Sequence, residues 1–357
     1  MSAAAAASAA PAAAAGEPLL SVRDLEVVFG RRGQPGFTAV DQVSFDVAAG
    51  EVVGIVGESG SGKSVTSMAI LGLLGRRGVR VSGRALYRGR DLLTMPDAER
   101  ARYRGAELAM VFQDPMSSLN PVVTVGTQVS EVLRAHQRIS AADAKSEAID
   151  LLQRCGIPDP ARRFGEYPHQ LSGGMRQRAL IATALACKPR LLICDEPTTA
   201  LDVTIQAQVL ELLVELVSEL GTAMIMITHD LGVVAGLCDR VNVMYAGRIV
   251  EQASCRELFA APRHRYTEGL LASIPRLDGD RSAPLTPIPG TPRDVIAWSK
   301  ACAFAPRCRH VTDACVTGDL ALTELAEEHD VRCVNPAPAP GASAPSAPAS
   351  GQPEEAS

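Results

Sequence analysis

The first part of the chain alternates short apolar runs with turn-forming stretches. LLSVRDLEVVF and TAVDQVSFDV are separated by RRGQPG, and EVVGIVG follows AAG. Alternating apolar and polar positions bounded by Gly and Pro predict an antiparallel sheet that leads into one buried strand at residues 51–57. The apolar residues of the following stretch, SVTSMAILGLL, recur at helical spacing, so a helix is predicted soon after that strand.

A second buried strand is predicted in RLLICDEP, residues 190–197, and it ends in two adjacent acids. Adjacent strand residues point to opposite faces of a sheet. Asp195 could therefore hold a metal ion while Glu196 faces a different atom, such as an attacking water. The alternative interpretation is a strand end that meets solvent.

Composition narrows the class of protein. The 357 residues are 46% hydrophobic and 21% charged, as in a globular protein of about two or three domains. A formal charge of -5 argues against a nucleic-acid partner. Apolar runs stay short of the roughly 18 to 20 residues that span a bilayer, so we expect a cytosolic chain that reaches a membrane through partners. The Ala-rich leader, residues 1–17, and the Pro-Ala-Ser-rich tail, residues 335–357, are predicted to be disordered.

The motif GESGSGKS stands between the first buried strand and the helix, as a GxxxxGK[ST] phosphate-binding loop requires. Its glycines let backbone N–H groups point at phosphate oxygens, and the helix N-terminus adds positive charge. Lys63 should reach the outer phosphates, and Ser64 should offer its hydroxyl to Mg²⁺. Nucleotide binding is therefore assigned to Gly57, Glu58, Ser59, Gly60, Ser61, Gly62, Lys63, Ser64 and Val65.

The phosphate-binding loop suggests separate roles for the two adjacent acids Asp195 and Glu196. In P-loop NTPases an acid that ends such a strand holds Mg²⁺, which here is Asp195. Glu196 is then free to polarise the water that attacks the γ-phosphate. A further motif, LSGGMRQR, opens a predicted helix, and Ser172 there is either a simple N-cap or part of a second anion site.

The ordered motifs GESGSGKS, FQDP, LSGGMRQR, LLICDEP, TALD and ITHD resemble those of the nucleotide-binding subunits of ABC transporters. The resemblance implies an α/β fold: a P-loop NTPase (RecA-like) core, an antiparallel β subdomain and a helical subdomain. It covers an ATPase domain at residues 18–262 and leaves a small Cys-containing C-terminal extension at residues 263–334. ATP sandwiched between two such subunits is implied as well.

The same resemblance assigns roles outside the phosphate-binding loop. Gln113 would sense Mg²⁺ and the γ-phosphate, His229 would clamp that phosphate, and with Glu196 they form the implied catalytic set. Ser172, Gly173 and Gly174 would close on ATP bound to the opposite subunit, and Asp202 would contact that partner. Phe29 stands where the family places an aromatic ring against adenine, although a lone strand Phe is equally a core residue.

A narrower resemblance points to the dipeptide and oligopeptide importer subfamily, which also serves nickel. It rests on FQDPMSSLNPVVTVGTQVSE, HRYTEGLLASIP and the late segment containing CAFAPRC. Arg265 replaces a usual proline there, as does Arg293 after Pro292, which weakens any inference about cargo. The implied partners are two permeases, a second ATPase subunit (a paralogue, hence a heterodimer) and an extracytoplasmic solute-binding protein, at the cytoplasmic face of a bacterial membrane. The alternatives are a soluble ABC-type ATPase of cluster assembly or repair, an importer of nickel or another small solute, and an unrelated P-loop enzyme.

Four of the nine cysteines gather near the C-terminus with the spacing C-x5-C-x6-C-x17-C: Cys302, Cys308, Cys315 and Cys333. Small Pro-interrupted segments often need a metal or cross-link to stay folded. Zinc sites usually pair cysteines two to four residues apart, which these gaps do not match. A [4Fe-4S] cluster is therefore predicted, supported by the similar extension of peptide-importer ATPases; zinc and free thiols are the alternatives.

Overall fold

The computed structural model describes residues 17–30, 36–75, 77–199, 201–273, 287–291, 301–318 and 320–339. Almost all of the leader and most of the tail predicted to be disordered lie outside these residues, as do Pro292 and Arg293. The strands are β1 (Leu20–Phe29), β2 (Phe37–Val47), β3 (Val52–Val56), β4 (Val79–Tyr87), β5 (Arg90–Asp91), β6 (Leu108–Val111), β7 (Leu191–Asp195), β8 (Ala223–Thr228), β9 (Arg240–Tyr245), β10 (Arg248–Ser254), β11 (Thr323–Ala326) and β12 (His329–Val331).

Helices connect and cover these strands. They are α1 (Lys63–Ile70), α2 (Asp97–Tyr103), α3 (Pro115–Ser118), α4 (Val125–His136), α5 (Ala141–Arg154), α6 (Pro160–Arg163), α7 (Gly173–Leu185), α8 (Val203–Leu220), α9 (Leu231–Leu237), α10 (Cys255–Ala260), α11 (Arg265–Ala272) and α12 (Asp313–Thr317). Two short 3₁₀ helices span Pro168–Gln170 and Ala305–Arg307. Within the described residues, no helix is long and apolar enough to cross a bilayer.

Two sheets form the framework. The first is antiparallel with the strand order β2-β1-β4-β5, which confirms the predicted antiparallel subdomain. The second has the order β11-β12-β10-β9-β3-β8-β7-β6, and its neighbours from β9 to β6 run parallel. Parallel strands are covered on both faces and are therefore apolar throughout, as VVGIV and AMIMIT show.

The parallel strands separate two apolar cores. Ile193 and Ile225 point into the core shared with α1 and the antiparallel sheet. Their sequence neighbours Cys194 and Met224 point into the core shared with α4, α5, α7 and α8. This alternation follows from the two-residue period of a strand. The helical subdomain predicted by the resemblance thus shares its core with one face of the parallel sheet.

The C-terminal extension continues the large sheet. Its strand β12 pairs antiparallel with β10, with Glu251 opposite Val331, and β11 adds the edge. The fully buried carboxylate of Glu251 accepts hydrogen bonds from the Arg263 amide at 2.6 Å and the His264 amide at 2.9 Å. His329 Nε2 lies 2.7 Å from the same carboxylate. The extension and the ATPase domain are therefore joined by backbone pairing and by a shared buried charge.

Candidate functional site

The predicted site residues meet at the carboxyl ends of adjacent parallel strands. The phosphate-binding loop follows β3, His229 follows β8, Asp195 ends β7, and Gln113 lies two residues after β6. Because these strands are neighbours in the order β3-β8-β7-β6, their ends converge on one edge of the sheet. A cavity of about 750 Å³ lies there, lined by Phe29, Phe37, Ala39, residues 57–65, Gln113, Glu196, His229, Leu231 and Leu270.

The loop around α1 depends on glycine where the chain passes other backbone. Gly62 has φ 103°, and a Cβ on it would come within 2.6 Å of the Ala39 carbonyl oxygen. A Cβ on Gly57 would meet the Met244 carbonyl oxygen at 2.1 Å. Both positions therefore exclude any larger residue. The Lys63 ammonium donates to the Gly57 carbonyl at 2.8 Å and the Glu58 carbonyl at 3.0 Å, which curls the loop around it.

Charges in the site are buried and mutually dependent. Burial lowers the pKa of Lys63, while the nearby Glu196, Asp195 and Glu58 oppose this shift. Burial raises the pKa of Asp195, and the hydrogen bond that Ser64 Oγ donates to its Oδ1 at 2.9 Å acts in the other direction. A hydroxyl and a carboxylate oxygen in contact are the hard oxygen ligands that Mg²⁺ prefers. The pair predicted to hold Mg²⁺ thus fits that ion.

Glu196 is held by its backbone and by three side chains. Its φ of 47° lies in the left-handed region, and its amide donates to the Ile227 carbonyl at 2.9 Å. Its Oε2 accepts from Gln113 Nε2 at 3.1 Å and from Thr199 Oγ1 at 2.9 Å. His229 Nδ1 lies 3.3 Å from the same oxygen. The residues predicted to form the catalytic set are therefore gathered around one carboxylate, and Thr199, which was not predicted, contacts the same oxygen.

Two aromatic rings flank the apolar end of the cavity. Phe29 on β1 lines the cavity as predicted, and its Cα partner across the sheet is Phe37 on β2. Phe37 lines the cavity too and is largely exposed. No sequence pattern singled out Phe37, because it stands at the first position of its strand, directly after the stretch RRGQPG. Leu270 of α11 also reaches this cavity from the C-terminal extension.

The LSGGM segment lies elsewhere. Ser172 is the N-cap of α7 and accepts from the Met175 amide at 3.3 Å, and the same helix start stays the predicted second anion site. Asp202 caps α8 in the same way, accepting from the Ile205 amide at 3.0 Å. Gly174 packs against Ile205, where a Cβ would come within 2.7 Å. Neither cap nor the glycines Gly173 and Gly174 are among the residues that line the cavity.

Comparison with known proteins identifies the family. The ABC transporter family matches residues 40–199, and the family described as the oligopeptide/dipeptide transporter C-terminal region matches residues 250–315. The chain is 50% identical over 299 residues to the oligopeptide transport ATP-binding protein OppD of Escherichia coli K12, which covers 84% of this chain and 88% of OppD. The dipeptide transport ATP-binding protein DppD of that strain is 49% identical over 318 residues, covering 89% of this chain and 97% of DppD. The chain belongs to this family of ABC transporter ATP-binding proteins.

Solved structures of other ABC ATPases agree with the fold. The ATP-binding cassette MJ0796, solved as a dimer bound to ADP and Pi, aligns with a TM-score of 0.60 and 27% identity, covering 66% of this chain and 99% of that one. The cbiO1 protein of Clostridium perfringens aligns with a TM-score of 0.58 and 29% identity, over 69% of this chain and 92% of that one. The predicted P-loop NTPase fold is confirmed, and this ABC ATPase uses ATP with Mg²⁺.

The four C-terminal cysteines of this ABC ATPase come close to one another without forming a metal site. Burial, with smaller contributions from Cys333 and Cys315, raises the pKa of Cys302 to about 11. Burial likewise raises the pKa of Cys308 and Cys333, with Cys315 contributing to both. Across the described residues, no group of three or more His, Cys, Asp or Glu side chains could hold a metal ion. The predicted iron–sulfur site is thus not supported by the arrangement of these thiols.

Proposed function

We propose that this ABC ATPase powers the import of dipeptides or oligopeptides through a transporter in a bacterial membrane. The observation that carries the proposal is the match of residues 250–315 to the oligopeptide/dipeptide transporter C-terminal region. Relatives named for oligopeptide and dipeptide transport are about half identical over most of this chain, which supports the same reading. Other subunits would select the cargo, because the ATPase subunit would bind ATP and would not contact the transported peptide.

In this function the cavity would bind ATP, with its phosphates on backbone N–H groups of the phosphate-binding loop. Lys63 would neutralise charge on the outer phosphates as a point charge. Ser64, Asp195 and Gln113 would hold Mg²⁺, which when bound offsets charge on the transferred phosphoryl group. Glu196 would orient and polarise the attacking water, and His229 would clamp the γ-phosphate.

A second ATPase subunit would complete each site. Ser172, Gly173 and Gly174 lie away from this chain's own cavity, which supports the role of closing on ATP bound to the partner. Their helix start, N-capped by Ser172, offers backbone N–H groups to an anion. Asp202 would contact the partner across the dimer. We propose a paralogue as that partner, so that the two subunits form a heterodimer.

The remaining partners would be two membrane-spanning permeases and an extracytoplasmic solute-binding protein, with this chain peripheral at the cytoplasmic face. An exposed apolar surface next to Gln113 supports permease docking. Four large apolar or aromatic side chains are exposed in the segment that follows β6 and in the helical subdomain: Phe112, Met116, Val122 and Tyr167. A permease helix bound to this surface would lie close to Gln113, the residue that would sense the γ-phosphate. The presence of the γ-phosphate could then be communicated to the permease through Gln113.

Co-purification and reconstituted transport test this function. Tagged full-length chain should bring down a permease from detergent extract, and the complex with its binding protein in proteoliposomes should take up labelled peptides when ATP is supplied. The control is the same complex with adenosine diphosphate. Uptake of nickel but not peptide would favour the nickel alternative. A chain that co-purifies with no permease would favour a soluble ATPase of cluster assembly or repair.

We also propose that the four cysteines hold a [4Fe-4S] cluster in the living cell. The proposal is supported by the sequence pattern of the four cysteines and by backbone donors at two of the thiols: the His310 amide donates to Cys308 Sγ at 3.4 Å, and the Thr312 amide donates to Cys315 Sγ at 3.4 Å. Such N–H···S bonds stabilise thiolate charge on cluster ligands. Binding would require the thiols to lose protons and turn towards a common centre. No step of ATP hydrolysis depends on this cluster.

Anaerobic purification tests the cluster. The protein should be brown, absorb near ~400 nm and carry about four irons per chain. Serine at Cys315 should abolish the colour, whereas serine at the distant Cys187 should leave it unchanged. Colourless protein with one zinc per chain would show that the four cysteines bind zinc and not a cluster. Colourless protein without metal would show that they are reduced thiols.

A further inference from the structure

The C-terminal extension holds one residue of the phosphate-binding loop, Glu58, through two of its own side chains, Tyr266 and Arg307. The Glu58 amide donates to the Tyr266 hydroxyl at 2.9 Å. The Glu58 carboxylate pairs with Arg307 through two bonds, Nη1 to Oε2 at 2.6 Å and Nη2 to Oε1 at 3.0 Å. One residue of the loop is therefore held at both its backbone and its side chain. The Glu58 amide thus donates to a side chain of the protein, unlike the loop N–H groups that are expected to face phosphate oxygens.

The guanidinium of Arg307 is preorganised for its contact with Glu58 by two aromatic rings and a backbone carbonyl. Its guanidinium lies 5.8 Å from the centre of the Tyr245 ring and 5.9 Å from that of Phe304, and its Nε donates to the Pro289 carbonyl at 2.8 Å. The residue is buried. A planar guanidinium held on rings and by a carbonyl loses little freedom when it binds a carboxylate with two parallel bonds. The geometry of Glu58 is thus determined by the extension.

The charge of Glu58 matters because of where it lies. Glu58 lines the nucleotide cavity, and its carboxylate acts electrostatically on Lys63. ATP brings several negative charges to the same loop. An uncompensated carboxylate beside them would repel the phosphates, and it would compete with them for Lys63. The bidentate pair with Arg307 removes this conflict while the Tyr266 hydroxyl fixes the first turn of the loop.

We propose that Arg307 and Tyr266 are positioning residues for ATP hydrolysis: they hold Glu58 so that the phosphate-binding loop is neutralised and shaped for MgATP. Both residues lie outside residues 40–199, which match the ABC transporter family. The extension is then part of the nucleotide site and not only an appended module. It acts through Glu58 and touches neither the phosphates nor the attacking water.

A double-mutant cycle of Arg307 and Glu58, measured as the Kd for MgATP on the full-length chain, tests this proposal. Arg307→Met keeps an apolar stem against the rings of Tyr245 and Phe304 but removes the charge, so the Kd for MgATP should rise by about tenfold. Glu58→Gln leaves the charge of Arg307 uncompensated and should lower that Kd by about threefold. The double variant should bind within about twofold of the wild type. Arg309→Met, in the same segment, removes an equal charge from an exposed position and serves as the matched control.

The two single variants separate this role from a purely structural one. A structural pair would weaken MgATP binding when either partner is changed, and the double variant would then be no better than Arg307→Met; that result would overturn the proposal. An Arg307→Met variant that binds MgATP like the wild type would overturn it too. Raising the salt concentration should reduce both effects on the Kd only in part, since Arg307 is buried and buried charges are screened much less than exposed ones. If Arg307→Met does not fold, tighter binding by Glu58→Gln still supports the proposal and weaker binding rejects it.

Discussion

The position of Glu196 follows from its own backbone and its neighbours. Its φ of 47° is left-handed, and the two adjacent acids have different partners: Asp195 accepts from Ser64, whereas Glu196 accepts from Gln113 and Thr199. Non-glycine residues in this region carry strain that the surrounding structure must support. Here the amide bond to Ile227 and the side-chain bond from Thr199 give that support. Two adjacent acids can thus divide metal binding from water activation.

Replacing Glu196 by Gln tests this division. The amide keeps the size of the side chain and can still accept from Gln113 and Thr199, but the charge that polarises water is lost. Turnover in the assembled transporter should fall by about a hundredfold or more, while MgATP binding is retained because Lys63, Ser64 and Asp195 are unchanged. Steady-state ATPase assays and MgATP titration measure the two effects. Glu215→Gln, at an exposed position of α8, is the matched control and should behave like the wild type; near-normal turnover of Glu196→Gln would place the base elsewhere.

At the scale of elements, strong local patterns were enough to predict the core. The strand before the loop, the helix after it and the strand ending in Asp195 all form close to their predicted positions, as β3, α1 and β7. Each is a run of apolar residues with a motif at its end, so its sequence is constrained over several consecutive positions. The convergence of four strand ends could be expected from motif order once the family resemblance was recognised.

Other elements carry no such pattern. Strand β11 reads TELA with every residue exposed, and β12 has only three residues, so neither shows the alternation that predicts a strand. The contact between Arg307 and Glu58 joins residues 249 positions apart, and each alone reads as an ordinary surface charge. The sequence around Phe37 likewise contains no motif that indicates its position in the cavity. What the sequence could not predict depends on packing between distant segments.

For the whole molecule, the arrangement of the motifs has a consequence for activity. The cavity of one chain is lined by the phosphate-binding loop, Gln113, Glu196 and His229, whereas Ser172, Gly173 and Gly174 are not among its lining residues. If ATP is sandwiched as proposed, a single chain has half of each site. Half a site can bind MgATP through Lys63 but cannot close around the γ-phosphate.

Activity of this chain should therefore depend on the partner ATPase subunit. Turnover is expected to be low for the isolated chain, to rise with the concentration of an equimolar mixture of the two ATPase subunits, and to rise further in the complex with permeases and a loaded binding protein. Ser172→Ala should suppress the rise while leaving MgATP binding by the dilute chain intact, because that residue would act only on a partner's nucleotide. ATPase rates over a dilution series, with Glu196→Gln protein as the background control, measure this dependence. High activity that stays constant on dilution would contradict the shared site, since a chain acting alone would then supply every group that hydrolysis needs.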